Sequence, residues 1–193
     1  MEPTEHDNNR VSDRLSQYED AELVRIAQMQ LPYVTTAYEV LFHRYHKPLV
    51  NICFRYLGSI EEAEETVSDT MFNVFNKLSR FEARSSFKTW VYKIAYNLSV
   101  TKLRKKQLEL VNIDEAKDVP DTNDNNYLDE DNEQINKWLN TLSVRERSIV
   151  VFRVVGCLEF SEIAQIVEEK LSTVKMKYKR ALDKMSETAR LQQ

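Results

Sequence analysis

Apolar residues recur every three or four positions through most of this chain, the spacing of a helix face rather than of a strand. Between Thr36 and Leu57 the stripe is Tyr38, Leu41, Phe42, Tyr45, Leu49, Ile52, Cys53 and Tyr56, with Pro48 inside it as a place for a kink. Gly58 is a natural stop, and Ser59-Ile60-Glu61-Glu62 reads as a capping box for a helix carrying Ala63, Val67, Met71, Val74, Phe75 and Leu78 on one face. Ser85-Ser86 offers an N-cap for a helix over about 87–106, with Phe87, Trp90, Val91, Ile94, Ala95 and Leu98 turned inward. A shorter helix is expected over about 19–29. Periodicity fades across 107–133 and returns as four helices at about 133–141, 144–155, 160–168 and 172–188. Ser143-Val144-Arg145-Glu146 is a second capping box, and Gly156 ends the helix that it starts.

The pattern predicts an all-α protein of two small helical domains. A loose tail is expected over 1–17, a first domain over 18–106, an acidic flexible linker over 107–133 and a second domain over 134–193. Composition agrees with this division. The 193 residues include only 2 Gly and 4 Pro, too few for a turn-rich sandwich or a Gly-cradled nucleotide fold. No 18-residue apolar run exists, and the N-terminus lacks the basic and apolar stretches of a secretory signal. A cytoplasmic location is therefore expected, with Cys53 and Cys157 as reduced core thiols.

Charge changes the picture more than composition does. The net charge of −4 conceals alternating blocks. Residues 1–40 carry 3 cations against 8 carboxylates, and residues 41–106 carry 12 against 6. Residues 107–133 carry 1 against 10, and residues 134–193 carry 11 against 7. Two basic blocks flanking an acidic one point to nucleic acid, because phosphate binding depends on the local field and not on the overall pI. The linker is expected to fold back on the basic blocks when no partner is present.

No catalytic cluster can be assembled: there is no Cys-x-x-Cys, phosphate-cradling loop or nucleophile elbow. Glu39, His43 and His46 share a helix face at i, i+4 and i+7, but without a fourth ligand they read as a helix flank and not as a metal site. No cofactor is expected. Between Phe81 and Lys106, Arg80's successors Arg84, Lys88, Lys93, Lys102, Arg104, Lys105 and Lys106 are opposed only by Glu82. Tyr92 and Tyr96 stand among them on a face of their own. Cations that track phosphates and rings that stack on unpaired bases suit a single-strand site. Further on, Phe160 to Val167 and Ser172 to Leu182 read as a helix-turn-helix, with five cations and no acid between 170 and 182.

These blocks, in this order, resemble the extracytoplasmic-function sigma factors of bacterial RNA polymerase. Leu41-Phe42-x-Arg44-Tyr45 looks like the start of the family's region 2, and Ala63-Glu64-Glu65-Thr66-Val67-Ser68-Asp69-Thr70 like its clamp-binding helix. The segment Phe81…Ser85-Ser86-Phe87-Lys88-Thr89-Trp90-Val91-Tyr92-Lys93-Ile94-Ala95-Tyr96-Asn97 is similar to the promoter-melting segment. Glu162-Ile163-Ala164 with Thr173-Val174-Lys175…Arg180-Ala181 resembles the region 4 helix-turn-helix. The chain departs from the pattern at Glu168 and Ser172, where the family often has Gly, at Thr101, where Asp is common, and at Thr66, where Leu is common.

The resemblance implies a non-catalytic initiation factor. Phe42, Glu64, Glu65, Val67, Asp69 and Phe72 would contact core polymerase. Lys77, Arg80, Phe81, Arg84, Lys88, Tyr92, Lys93, Tyr96, Asn97, Lys102, Arg104 and Lys105 would open and hold the minus-ten element. Ser172, Thr173, Lys175, Met176, Lys177, Lys179 and Arg180 would read the minus-thirty-five element as duplex. An anti-sigma protein would be the regulator. Two rival readings are a duplex-only helix-turn-helix repressor, which leaves 81–97 without a role, and a protein-only helical adaptor.

Overall fold

The computed structural model describes residues 11–111 and 130–191, with side chains described over 11–106 and 134–190. The acidic segment 112–129, the core of the expected linker, and residues 1–10 lie outside the described residues. Every regular element among the described residues is helical. The helices are α1 (Asp20–Gln30), α2 (Thr36–Leu57), α3 (Ile60–Lys77), α4 (Phe87–Val111), α5 (Glu130–Asn140), α6 (Val144–Val154), α7 (Phe160–Val167) and α8 (Leu171–Leu191). A 3-10 turn, Leu78–Arg80, follows α3.

Helix ends follow the local chemistry. Gly58 takes the left-handed conformation (φ 75°) that lets its N–H cap Phe54 O, as a C-cap glycine should. The Ser59 hydroxyl accepts from the Glu62 N–H at 3.2 Å, while the Glu62 carboxylate turns away to Lys106 at 3.4 Å. Half of the expected box is thus realised. The box at Ser143 and Glu146 is complete. α2 runs helically through Pro48, whose ring faces solvent. The chain is already helical over 11–15 and Leu15 joins the core, so the tail expected to run to residue 17 is ordered from Val11 onward. The N-terminal segment is tied to α2 by Arg44, which pairs with Asp20 at 2.6 Å and donates to the Ser16 and Tyr18 carbonyls at 2.9 Å each.

Helices α1 to α4 form one bundle. Leu23, Leu41, Leu49, Ile52, Met71 and Leu78 are fully buried at its centre. Tyr38 crosses from α2 to donate to Met71 O at 2.8 Å. Cys53 is buried, accepts weakly from the Ser99 hydroxyl, and has its thiol pushed up to about 11 by burial. Cys157, expected in the core, is exposed instead, in the loop behind Gly156.

Helices α5 to α8 form the second unit, with Ile149, Phe152, Leu158, Ile163 and Ile166 buried. The two units share one continuous core. α6 and α7 lie against α2 and α4, and the Phe152 ring sits 6.2 Å from Tyr56, 5.8 Å from Tyr96 and 6.3 Å from Tyr92, stacked on the last at 21°. Gly156 permits this approach, since a Cβ there would lie 2.7 Å from Phe152 O and 3.3 Å from Tyr92 Cε2. Arg55 donates to Asn136 Oδ1 at 2.6 Å on the same side.

Within the second unit, Glu146 accepts from Lys184 Nζ at 2.8 and 2.9 Å and also closes the Ser143 cap. Lys184 foremost, with Ser143, holds this carboxyl below the usual carboxylate range. A folded value below the unfolded one, about 4.3 for Glu, means that the contribution is complete above that pH and is lost as pH falls through the folded value. We expect Glu146→Gln, which keeps the cap geometry, to destabilise by about 0.5–1 kcal/mol at pH 7 after solvent screening. The difference from wild type should shrink as pH falls below the ordinary carboxylate range and through the lowered folded value. Urea unfolding followed by circular dichroism across that range checks it, and a pH-independent difference would assign the effect to packing.

Candidate nucleic-acid and polymerase interfaces

The helix expected to face the polymerase, α3, divides cleanly by exposure. Thr66, Val67, Thr70 and Met71 point into the bundle, so Val67 is a core residue and not a contact residue. Glu64, Glu65, Asp69 and Phe72 point out, and Phe72 is 67% exposed, which is unusual for a ring with no partner of its own to cover. Phe42 is half-buried beside them, 5.2 Å from the His46 ring, and His46 Nε2 lies 3.1 Å from Glu64 Oε2. Thr66 spends its hydroxyl on Glu62 O at 2.7 Å, which is how a Thr is accommodated on this buried face. Two of the outward carboxylates already have cations from α4: Glu65 with Lys102 at 2.7 Å and Glu62 with Lys106 at 3.4 Å.

The basic segment lies next to this helix. Lys77, Arg80, Glu82, Arg84 and Ser85 line an open cleft whose floor is Phe81 and Trp90. The two rings are 4.6 Å apart and tilted by 34°, and both are part-exposed. Trp90 reads from the sequence as an inward core ring, because it shares the helical spacing of Phe87 and Ile94. In the structure it flanks the cleft, and the signal that could have found it is Phe81 beside Lys77, Arg80 and Arg84. Ala83 takes a positive φ of 54°, which turns the loop around the cleft.

Tyr92 and Tyr96, expected as exposed stacking rings, are 3% and 6% exposed. They lie on the outer surface of the first bundle, but Phe152 covers both. Burial pushes the Tyr92 phenol up to about 12, and Lys88 Nζ stands 5.7 Å from its ring centre. Lys93 is paired with Glu168 at 2.8 Å. Asn97, Arg104 and Lys105 are exposed further along α4, and Lys102 is half-buried.

In the second unit α7 and α8 form the expected helix-turn-helix. Glu168 makes the turn in the left-handed conformation, φ 57° and ψ 46°, which Gly would adopt without strain. Ser172, Lys175, Met176 and Lys179 are exposed on one face of α8, with Arg180 beside them, while Val174 and Ala181 are buried behind. Thr173 is half-buried. Lys177 is held by Glu169 at 2.6 Å, and this pair turns it towards the turn and away from the open face. Among the described residues no group of three or more His, Cys, Asp or Glu could hold a metal, and no helix is long and apolar enough to cross a membrane.

The contrast between Val67 and Phe72 can be measured. Val67→Ala should cost roughly 1–3 kcal/mol of stability as a core truncation, lowering the urea midpoint. Phe72→Ala should leave that midpoint within about 0.5 kcal/mol of wild type while weakening retention on immobilised core polymerase. The reverse order would place Phe72 in the fold and Val67 on the surface.

The comparisons with known proteins agree with this geometry. The Sigma-70 region 2 family matches residues 41–109, and Sigma-70 region 4 matches residues 132–185. The extracytoplasmic-function sigma factor RpoE of Cereibacter sphaeroides is 30% identical over 132 residues, 66% of this chain and 73% of that protein. SigW of Bacillus subtilis is 23% identical over 159 residues, 76% of this chain and 85% of that protein. Among solved structures, the sigma factor RpoE of Bartonella quintana, crystallised with the anti-sigma factor NepR, shares the fold with a TM-score of 0.68 at 21% identity, covering 83% of this chain and 100% of that one. With both regions matched in order on the two bundles that the structure builds, the chain belongs to the extracytoplasmic-function sigma factors of RNA polymerase.

Proposed function

We propose that this chain binds core RNA polymerase through the outer face of α3 and directs it to promoters, melting the minus-ten element with α1–α4 and binding the minus-thirty-five element as duplex with α7–α8. The observation that carries the reading is the pairing, within one chain, of a cationic ring-floored cleft in the region 2 match with an exposed polar and basic helix face in the region 4 match.

Glu64, Glu65, Asp69 and Phe72, with Phe42 at the edge, present carboxylates around an apolar ring, a surface suited to a basic partner helix. Phe81 and Trp90 supply the stacking platform that unpaired bases need, with Lys77, Arg80 and Arg84 placed for phosphates. Lys175, Lys179 and Arg180, with Ser172 and Met176, suit base edges and phosphates in a major groove. The protein works without catalysis of its own, in the cytoplasm where polymerase acts. An anti-sigma partner is part of this reading, because the solved relative from Bartonella quintana is bound to one. A duplex-only repressor would have no use for the cleft.

Run-off transcription with core polymerase on DNA from upstream of the gene tests the whole reading, and no promoter-dependent transcript would overturn it. The cleft is tested by permanganate reactivity of unpaired thymines. Each stacked base is worth about 1–3 kcal/mol by alanine substitution. Trp90→Ala or Phe81→Ala should therefore lower reactivity at least about fivefold and leave duplex gel shifts unchanged, whereas Lys175→Ala with Arg180→Ala should weaken the gel shift. Normal melting by both ring variants would remove the cleft from the mechanism.

A further inference from the structure

The second unit lays two carboxylates on the first, and both land on groups suited to an anion. Ser86 caps α4, accepting from the Thr89 N–H at 3.0 Å. The Thr89 hydroxyl donates to Glu162 Oε1 at 2.9 Å, and Ser86 Oγ lies 3.4 Å from the same oxygen. One turn onward Lys93 Nζ is 2.8 Å from Glu168 Oε1. Ser86, Thr89 and Lys93 follow each other at i, i+3 and i+7 and so share one face of α4. At its start, the partial positive charge of the helix N-terminus adds to the two hydroxyls. Thr89 is only 2% exposed, because the second unit covers it.

Both carboxylates are held in place from their own side. The other oxygen of Glu162 accepts from the Glu159 N–H at 2.9 Å and so caps α7. Glu168 accepts a left-handed backbone at a turn position where the family resemblance expects Gly, and that posture is what carries its carboxylate to Lys93. Arg145 is the other cation that acts on Glu168, and Lys93 is the stronger influence. The α8 face stays open throughout: Ser172, Lys175, Met176 and Lys179 are exposed while Thr89, Tyr92 and Tyr96 are not.

We propose that Ser86, Thr89 and Lys93 form a phosphodiester-binding row for an unpaired DNA strand, and that Glu162 and Glu168 occupy it as internal phosphate substitutes, closing the second unit over it until a strand displaces them. The exchange leaves no charge stranded, since Lys93 trades a carboxylate for a phosphate. This inference rests on the strand-holding role given above to the first bundle. It adds Ser86 and Thr89 to that role beside Lys93, and a closed form that hides this phosphate row while leaving the ring-floored cleft and the duplex face open.

The test uses the full chain with a fluorescein-labelled 15-mer of thymidine as the probe, followed by anisotropy. Glu162→Gln with Glu168→Gln keeps both side-chain sizes and the α7 cap. This variant should bind the probe roughly tenfold more tightly, the effect of losing two exposed pairs. Glu168→Gly, which suits the left-handed turn, should give part of the same gain. Adding Thr89→Val to the double variant should remove most of it. Affinity within twofold of wild type in the double variant, or a gain that survives Thr89→Val, would overturn the proposal. Retention on core polymerase, measured on the same preparations, reports on the sigma-factor role independently of either result.

Discussion

The arrangement of the whole molecule depends on where one ring goes. Phe152 belongs by sequence to the second unit, yet its neighbours Tyr56, Tyr92 and Tyr96 belong to the first. Burying a Phe side chain contributes about 1.5–3 kcal/mol, more than any exposed ion pair, typically 0–1 kcal/mol. Ring burial therefore holds the two units together, and the pairs at Thr89 and Lys93 fix how they are turned. Separating the units would wet Phe152, Tyr92 and Tyr96 at once. That makes an open state depend on a partner large enough to re-cover them or to compensate with contacts elsewhere, which suits a protein whose working form is docked on a polymerase.

Most of the helical plan was legible in the residues. The stripe from Tyr38 to Tyr56, the stop at Gly58 and the caps at Ser59 and Ser143 all fall where local chemistry put them, because caps and glycine stops act over three or four residues and need no tertiary information. The C-terminal end of α4 was less legible. Its pattern runs on to Val111 without a Gly or Pro to stop it, five residues past the expected end.

What the sequence could not show is which apolar face is covered by what. Periodicity sets Val67 on the Ala63 to Leu78 stripe and leaves Phe72 off it, as the burial of the two confirms, whereas the family resemblance alone moves Val67 to the contact face. Tyr92 and Tyr96 share a face distinct from that of Val91 and Ala95, so they read as a free polar-aromatic surface. In the structure α4 is buried on both sides, by its own bundle and by the second unit, and a helix covered on two sides loses its simple amphipathic signature. Trp90 failed in the opposite direction: it keeps core spacing with Phe87, but the helix start is near an open cleft and the ring forms part of its floor. Non-local contacts decided the two tyrosines and Trp90, and such contacts leave no trace in a window of 11–18 residues.

Glu168 joins the two levels. Read locally, it is a departure: a charged residue with a Cβ where a left-handed turn favours Gly, at a strain of order 1 kcal/mol or more. Read in the fold, the same residue is the one whose carboxylate meets Lys93 across the units. A Gly there would relax the turn and give up that contact. Local strain tolerated at a position with a long-range electrostatic role is the pattern expected where local consistency has been exchanged for function. The alternation of charge along the chain has a structural meaning of the same kind: the basic blocks repel each other in bulk, but the interface presents two of the second block's carboxylates, Glu162 and Glu168, to the first block's hydroxyls and Lys93. At a Debye length of about 8 Å in physiological salt, it is these contacts, and not the net +6 and +4 of the blocks, that set the electrostatic part of the attraction and so the orientation of units that ring burial holds together.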